Sequence, residues 1–397
     1  MNELDPQATN SKPGRLMSLD VMRGLTMMTM ILVNNPGSWS YVYPPLEHAE
    51  WHGWTPTDLV FPLFLFMVGI SMAFSLDKRR EAGQRQELVV HIVRRAVILF
   101  FLGWVLGIFP DVLWDIRTVM TSRFPGVLQR IAVCYLLGSL IVLFVPRRVQ
   151  WWIPFALMAI YLIGMFGYPA PGYGSGSWDV QRNFCLYLDS QFLYGHTWSG
   201  APVAGFDPEG LWSTLPAVAS VLFGCFVGRA LRPLATSVSH NADEAMATPG
   251  TSSAWHVLVR IFVAANVLLL MAYGLSGIVP INKQLWTPSF VFLTTGIAMH
   301  VIGVLYYWID VRGMRRGTLP FVILGENAIF AYCLSSIVGD LLSLHFKETS
   351  SRRWLFTEVF EPAFGSLNGS LAMAILFVIG CLGVTAVLHH KRWLLRI

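Results

Sequence analysis

The chain has 397 residues, of which 54% are hydrophobic and only 13% charged, against about 25% charged in an ordinary soluble domain. With 15 Trp, 26 Phe and 12 Tyr it has too little polar surface to coat a water-soluble globule, and too many aromatics for disorder. The net charge of +5 is spread in short basic clusters between apolar runs rather than along one face, which argues against nucleic-acid binding.

With about 20 apolar residues needed per crossing, the pattern predicts an all-α, polytopic integral membrane bundle of about ten transmembrane helices. Their expected limits are 18–36, 57–76, 89–109, 125–145, 150–168, 211–230, 256–278, 288–309, 319–341 and 369–389. The polar residues 1–17 form an amino-terminal tail, with no cleavable signal expected. Residues 18–397 are expected to form one transmembrane domain with long connections at 37–56 and 169–210. A Ser- and Ala-rich stretch, 233–253, has linker composition.

Basic residues set the orientation, since Lys and Arg are retained in the cytoplasm. The tail and even-numbered connections carry 18 of them, including Lys78, Arg79, Arg80, Arg85, Arg94 and Arg95, while the opposite connections carry seven. Both termini are therefore expected in the cytoplasm, with the 37–56 and 169–210 loops outside. The five cysteines are far apart and lack metal-ligand spacing, so neither a metal site nor a disulfide framework is expected.

Ionisable residues inside spans require a partner or a watery cavity. Asp20 and Arg23, one helical turn apart, fit either a structural ion pair or an anion contact. Arg130 with Gln129, and Glu326 with Asn327, allow the same two readings. Near the outer end of the first span come Asn34 and Asn35, then His48, then Asp58 at the start of the second. An outer-loop histidine is ordinarily solvated, and a carboxylate at a helix start is ordinarily a cap. Together, however, an amide, an imidazole and a carboxylate on one membrane face supply an oxyanion donor, a general base and an orienting group. Gly103 with Gly107 and Gly224 with Gly228 read as helix-packing contacts.

The blocks RLMSLDVMRG, MILVNNPGSW, LEHAEWHGWTPTDLVFPLFLFMVG, FPGVLQRIAVCY, FDPEGLWSTLPAVASVLFG, PINKQLWTPSFVFLTTG and LGENAIFAY resemble the heparan-alpha-glucosaminide N-acetyltransferase family, including bacterial relatives associated with amino-sugar use. The resemblance implies a transmembrane acetyltransferase that takes acetyl-CoA from the cytoplasm and N-acetylates a glucosamine-type sugar on the far side, with acetyl-CoA as co-substrate and no metal. It places the active histidine on His48 and the active-site asparagine on Asn34, with Asp58 setting the imidazole tautomer. CoA or sugar contacts are expected from Arg23, Asp20, Gln129, Arg130, Asn282, Lys283, Trp286, Glu326 and Asn327. Tyr173, Trp178, Tyr187, Tyr194 and Trp198 offer stacking faces for the acceptor. An inner-membrane location with His48 facing the periplasm follows if the host is Gram-negative, read from the absence of a lysosomal-type extension. Glycine-rich packing surfaces permit a homodimer without requiring one. Two other readings remain: O-acetylation of a surface polysaccharide or lipid-linked sugar, and a transporter of sugars or small anions.

Overall fold

The computed structural model describes residues 16–81, 85–169, 171–172, 174–240, 250–346 and 349–393, without the side chains of 78–81, 235–240, 250–253 and 345–346. Lys12, Arg15, the side chains of Lys78, Arg79 and Arg80, Tyr173, Lys347 and Arg396 lie outside the described residues, as does the 241–249 part of the expected linker.

The helices, in order, are α1 (Met17–Asn34), α2 (Val60–Glu81), α3 (Arg85–Ile108), α4 (Thr118–Thr121), α5 (Val127–Phe144), α6 (Arg147–Gln150), α7 (Ile153–Gly167) and α8 (Phe184–Phe192). They continue with α9 (Thr214–His240), α10 (Gly250–Leu275), α11 (Pro288–Leu305), α12 (Leu319–Glu326), α13 (Ala328–Ser343), α14 (Ser351–Leu355), α15 (Glu361–Phe364) and α16 (Ser366–His390). Among the described residues the only sheet is one antiparallel pair, β1 (His345–Phe346) with β2 (Thr349–Ser350).

Seven of these helices are long and apolar enough to cross a membrane. Asp20, Arg23 and Asn34 dilute the apolar character of α1, and α7, with 15 residues, is short. The expected 319–341 span is broken: α12 and α13 meet at 84° across Asn327. The stretch read as a linker is helical at both ends, since α9 continues to His240 through Pro233 and α10 begins at Gly250. The long 169–210 connection contains α8, opened by an Asn183 side chain that accepts the Leu186 N–H at 2.8 Å.

Burial separates an inner group of helices from an outer one. The spans containing α2, α9 and α11 are mostly covered by protein, whereas α3, α10 and α16 leave most of their apolar surface open. Val90, Phe101, Val263, Leu270, Leu376 and Ile379 are among those exposed side chains. Apolar surface on that scale is compatible with lipid and not with water.

Close backbone approach holds the interior together. A Cβ placed on Gly69 would overlap the carbonyl oxygen of Val221, and one on Gly224 would overlap that of Phe66, so α2 and α9 touch backbone to backbone. Gly228 continues this seam against Ile70. A second seam joins α1 to α12, where Gly24 meets the Phe321 carbonyl and Gly325 meets that of Asp20. Small residues are the side chains that permit such contacts in lipid. Gly103 fits the same reading, lying against Leu128 and Gln129, whereas Gly107 faces open space. Gly69→Val should therefore force α2 from α9 and destabilise the protein by about 1–3 kcal/mol or more; a melting temperature in detergent equal to wild type would contradict the seam.

Candidate active site

The segment between α1 and α2 folds back on itself around one buried carboxylate. Thr55 and Asp58 form a capping box at the 3-10 turn Pro56–Leu59 that leads into α2. Asp58 Oδ2 accepts the N–H of Thr55 at 3.0 Å, the N–H of Ala49 at 3.1 Å and the Thr55 hydroxyl at 3.3 Å. The single Thr55 hydroxyl proton is shared with the Glu47 carbonyl, which is the nearer acceptor at 2.6 Å. These bonds draw residues 47–49 over the start of α2, and they leave Oδ1 for a side chain. His48 takes it, with Nδ1 2.7 Å from Oδ1.

Asp58 is 1% exposed and the His48 side chain 51%, so the carboxylate is shielded while the ring faces an opening. A carboxylate only accepts, so Nδ1 carries the proton between them, and in the neutral ring the lone pair is on Nε2. The cap and the orienting partner, alternatives in the sequence, are one group.

Lys283 joins this pair from the α10–α11 connection. Its Nζ lies 2.9 Å from His48 Nδ1 and 3.2 Å from Asp58 Oδ1, and its side chain is 20% exposed. Burial lowers the Lys283 pKa while the Asp58 charge opposes it. The loop is stitched to the histidine segment by the Gly53 N–H on the Ile281 carbonyl (2.8 Å), Gln284 on the Glu50 carbonyl (3.0 Å), and a 3.3 Å contact of Asn282 with His52. Burial lowers the His52 pKa, with Asp179 opposing.

Trp286 anchors the loop from below. Its φ is +51°, and its fully buried ring makes edge contacts with Phe61 and Phe290 while Nε1 reaches Ser220 at 3.3 Å. It is thus a support of the site rather than a wall of an open cleft. Arg130, 2% exposed, lies 5.3 Å from the Trp286 ring and donates to the Gly210 carbonyl at 3.0 Å and to Ser213 at 2.5 Å. Gln129 is buried beside Gly103 and Gly126.

Asn34 is exposed at the end of α1, and its side chain makes no hydrogen bond among the described residues. It lies three, four and seven positions after Ile31, Met30 and Met27, so it extends their face. Those three residues pack in one cluster with Val60, at the start of α2. The same cluster contains Leu324 of α12, Ala328 and Ala331 of α13, and Val378 and Cys381 of α16, so the face that Asn34 extends borders these helices as well as α2. Its neighbour Asn35 is buried, donates to the Ile31 carbonyl at 2.9 Å and accepts from Arg352 at 3.2 Å.

The remaining expected residues belong elsewhere. Asp20 and Arg23 are paired at 3.2 Å near the other end of α1, where Arg23 also donates to Ser71 (3.2 Å) and to the Gly325 carbonyl (3.3 Å). Glu326 lies 2.9 Å from His389, and Asn327 is buried at the α12–α13 break. Neither contacts His48.

A second polar centre, missed in the sequence, braces the α4–α5 and α8–α9 connections. Arg123 pairs with Asp207 at 2.6 and 2.7 Å and also with Glu209. Its guanidinium pKa is raised by these carboxylates against burial. Asp189, fully buried, accepts the N–H groups of Leu211 (2.9 Å) and Asp207 (3.3 Å). Burial pushes its carboxyl up to about 7 against those two donors. The signal available was the acidic FDPEG run facing Arg123 in a connection otherwise short of charge.

A group whose pKa is raised on folding contributes stability that is full below its unfolded value, near 4, and fades as pH rises through the folded one. The connections braced by Asp189 should therefore become easier to cleave by protease as pH climbs from about 4 to about 7. Asp189→Asn, which imitates the protonated acid, should flatten that dependence; an unchanged pH profile in the variant would refute the assignment.

A family model described as "Heparan-alpha-glucosaminide N-acetyltransferase, catalytic" matches residues 15–259. The match includes Asn34, His48 and Asp58 and ends before Lys283. Heparan-alpha-glucosaminide N-acetyltransferase of Mus musculus is 26% identical over 409 aligned residues, covering 91% of this chain and 60% of that protein. The Homo sapiens protein of the same name is 27% identical over 383, covering 84% of this chain and 55% of its own length. The chain thus spans a little over half the length of these curated relatives.

Proposed function

We propose that this chain, which belongs to the heparan-alpha-glucosaminide N-acetyltransferase family, is a membrane acetyltransferase that moves the acetyl group of acetyl-CoA onto the amine of a glucosamine-type sugar. The observation that carries the reading is the His48–Asp58 pair: a half-exposed imidazole whose Nδ1 is held by a buried carboxylate, leaving Nε2 open. That is the arrangement a general base requires.

In this reading the sugar amine attacks the thioester carbonyl. The new N–C bond forms as Nε2 takes the amine proton, and collapse of the tetrahedral oxyanion breaks the C–S bond. The proton then passes to the departing CoA sulfur, returning His48 to its starting form. Asn34, at the adjacent helix end, is the candidate amide donor to the oxyanion. A covalent route, with the acetyl group carried briefly on Nε2, uses the same geometry.

The reading takes the seven apolar helices, the broken α12–α13 pair, α7 and α1 as ten crossings, with both termini in the cytoplasm and His48 outside. In a Gram-negative cell that side is the periplasm. Arg23 and Asn34 are eleven residues apart on α1, about 16 Å along its axis. A pantetheine arm entering near the Arg23 end therefore has one helix to follow to the histidine. The exposed rings of Trp39, Tyr194 and Trp198 on the outer connections are candidate stacking faces for the acceptor. A hydroxyl acceptor would use the same base.

One observation favours a transporter instead: the 84° break between α12 and α13 is the kind of discontinuity that transporters use to build binding sites. Thioester consumption separates the two classes. Purified protein with acetyl-CoA should release free CoA thiol faster when glucosamine is added, and His48→Ala should abolish that release. Asn34→Ala should slow turnover by about 10²–10³-fold if it donates to the oxyanion. Solute movement without thiol release would support transport. The orientation has its own test: Glu50→Cys, in a cysteine-free background, should react with an impermeant reagent added from outside, and labelling only from the cytoplasm would reverse the topology.

A further inference from the structure

Lys283 reaches His48 in an informative direction. Its Nζ is 2.9 Å from Nδ1 and 3.5 Å from Nε2. A nitrogen lying in the ring plane in front of Nδ1 would be farther from Nε2 by nearly the width of the ring. The small difference therefore puts Nζ off the Nδ1 in-plane axis, and because an in-plane position at these distances would collide with a ring carbon, it lies above the plane on the Nδ1 side. The in-plane position at Nδ1 is left to Asp58 Oδ1, which is also 3.2 Å from Nζ. One carboxylate oxygen thus faces both a ring N–H and an amine.

The charged surroundings of His48 are few. The turn before α2 contributes Asp58, and the α10–α11 connection contributes Lys283. Glu47 and Glu50 flank the histidine within its own segment and are exposed. His52 packs on Asn282; Asp179 acts on His52 and Glu209 on Lys283 at longer range. Among the described residues, Asp58 is the carboxylate bonded to the ring, and Lys283 is the cation against it.

We infer that Lys283 is a positioning residue: it offsets the charge of Asp58 and sets a positive charge over the imidazole, keeping His48 neutral, with its proton on Nδ1 and Nε2 open. Alone, a buried carboxylate beside an imidazole favours the protonated ring, which is no base. With the ammonium above the ring, Asp58 keeps its orienting bond while the second proton is discouraged. The chemical meaning rests on the acetyl-transfer reading: a proton taken from the amine is passed readily to the thiolate of CoA, and an acetyl group on Nε2 is made a better donor. Loss of charge at Lys283 would trap His48 protonated.

The test needs neither substrate. Diethyl pyrocarbonate modifies neutral imidazole, so its rate at His48, followed by peptide mass spectrometry from about pH 5 to about pH 8, reports the ring's protonation. Lys283→Met should move the midpoint of that profile to higher pH by about one unit, slowing modification about tenfold on the acid side. Lys283→Arg, which keeps the charge, should stay near wild type. Lys283→Gln reports the same charge loss with a polar chain, should the methionine variant fail to elute with wild type. A midpoint that stays put or falls in the neutral variants overturns the inference, as does an arginine variant that shifts as far as they do. If wild type releases no CoA thiol with any sugar, acetyl transfer fails while this assay still reads.

Discussion

A single buried carboxylate organises the end of the bundle where α1 gives way to α2. One oxygen of Asp58 gathers two backbone N–H groups and a hydroxyl, and so fixes the fold of residues 47–58. The other oxygen faces His48 and Lys283. Burial makes this arrangement obligatory, because a shielded carboxylate left without donors is costly to keep in the fold. The same desolvation that demands partners for Asp58 directs the imidazole, and tertiary structure supplies the third partner from more than two hundred residues away.

Much of this was legible in the sequence. Long apolar runs announce helices for lipid, and Asn34, His48 and Asp58 stood out because they cluster between two such runs. What periodicity could not give was the path of the chain between helices. Lys283 was a polar residue in a short connection; that it reaches the ring of His48 depends on a loop anchored by Trp286 at positive φ and stitched to residues 50–53. The Arg123–Asp207–Glu209 centre was hidden for a similar reason, since its members lie in separate connections.

Other features resisted sequence reading because local preference and tertiary demand disagree. The apolar run 319–341 looks like one crossing, yet it bends sharply after Glu326, where Gly325 is pressed against the backbone of α1. Residues 233–240 have linker composition but continue α9. Arg352 is one of the seven basic residues counted on the opposite connections. In the fold it binds Asn35, the Pro36 carbonyl and the Gly339 carbonyl, and so holds the end of α1.

The two glycine seams carry a mechanical consequence. Helices in backbone contact have no side-chain cushion between them, so α2 is closely coupled to α9, and α1 to α12. Asp58 and His48 go with the first pair and Asn34 with the second. A displacement of one pair against the other would change the separation of His48 and Asn34. If the imidazole and the amide act together as proposed, the packing of two glycine seams and the chemistry of the site are one mechanical problem.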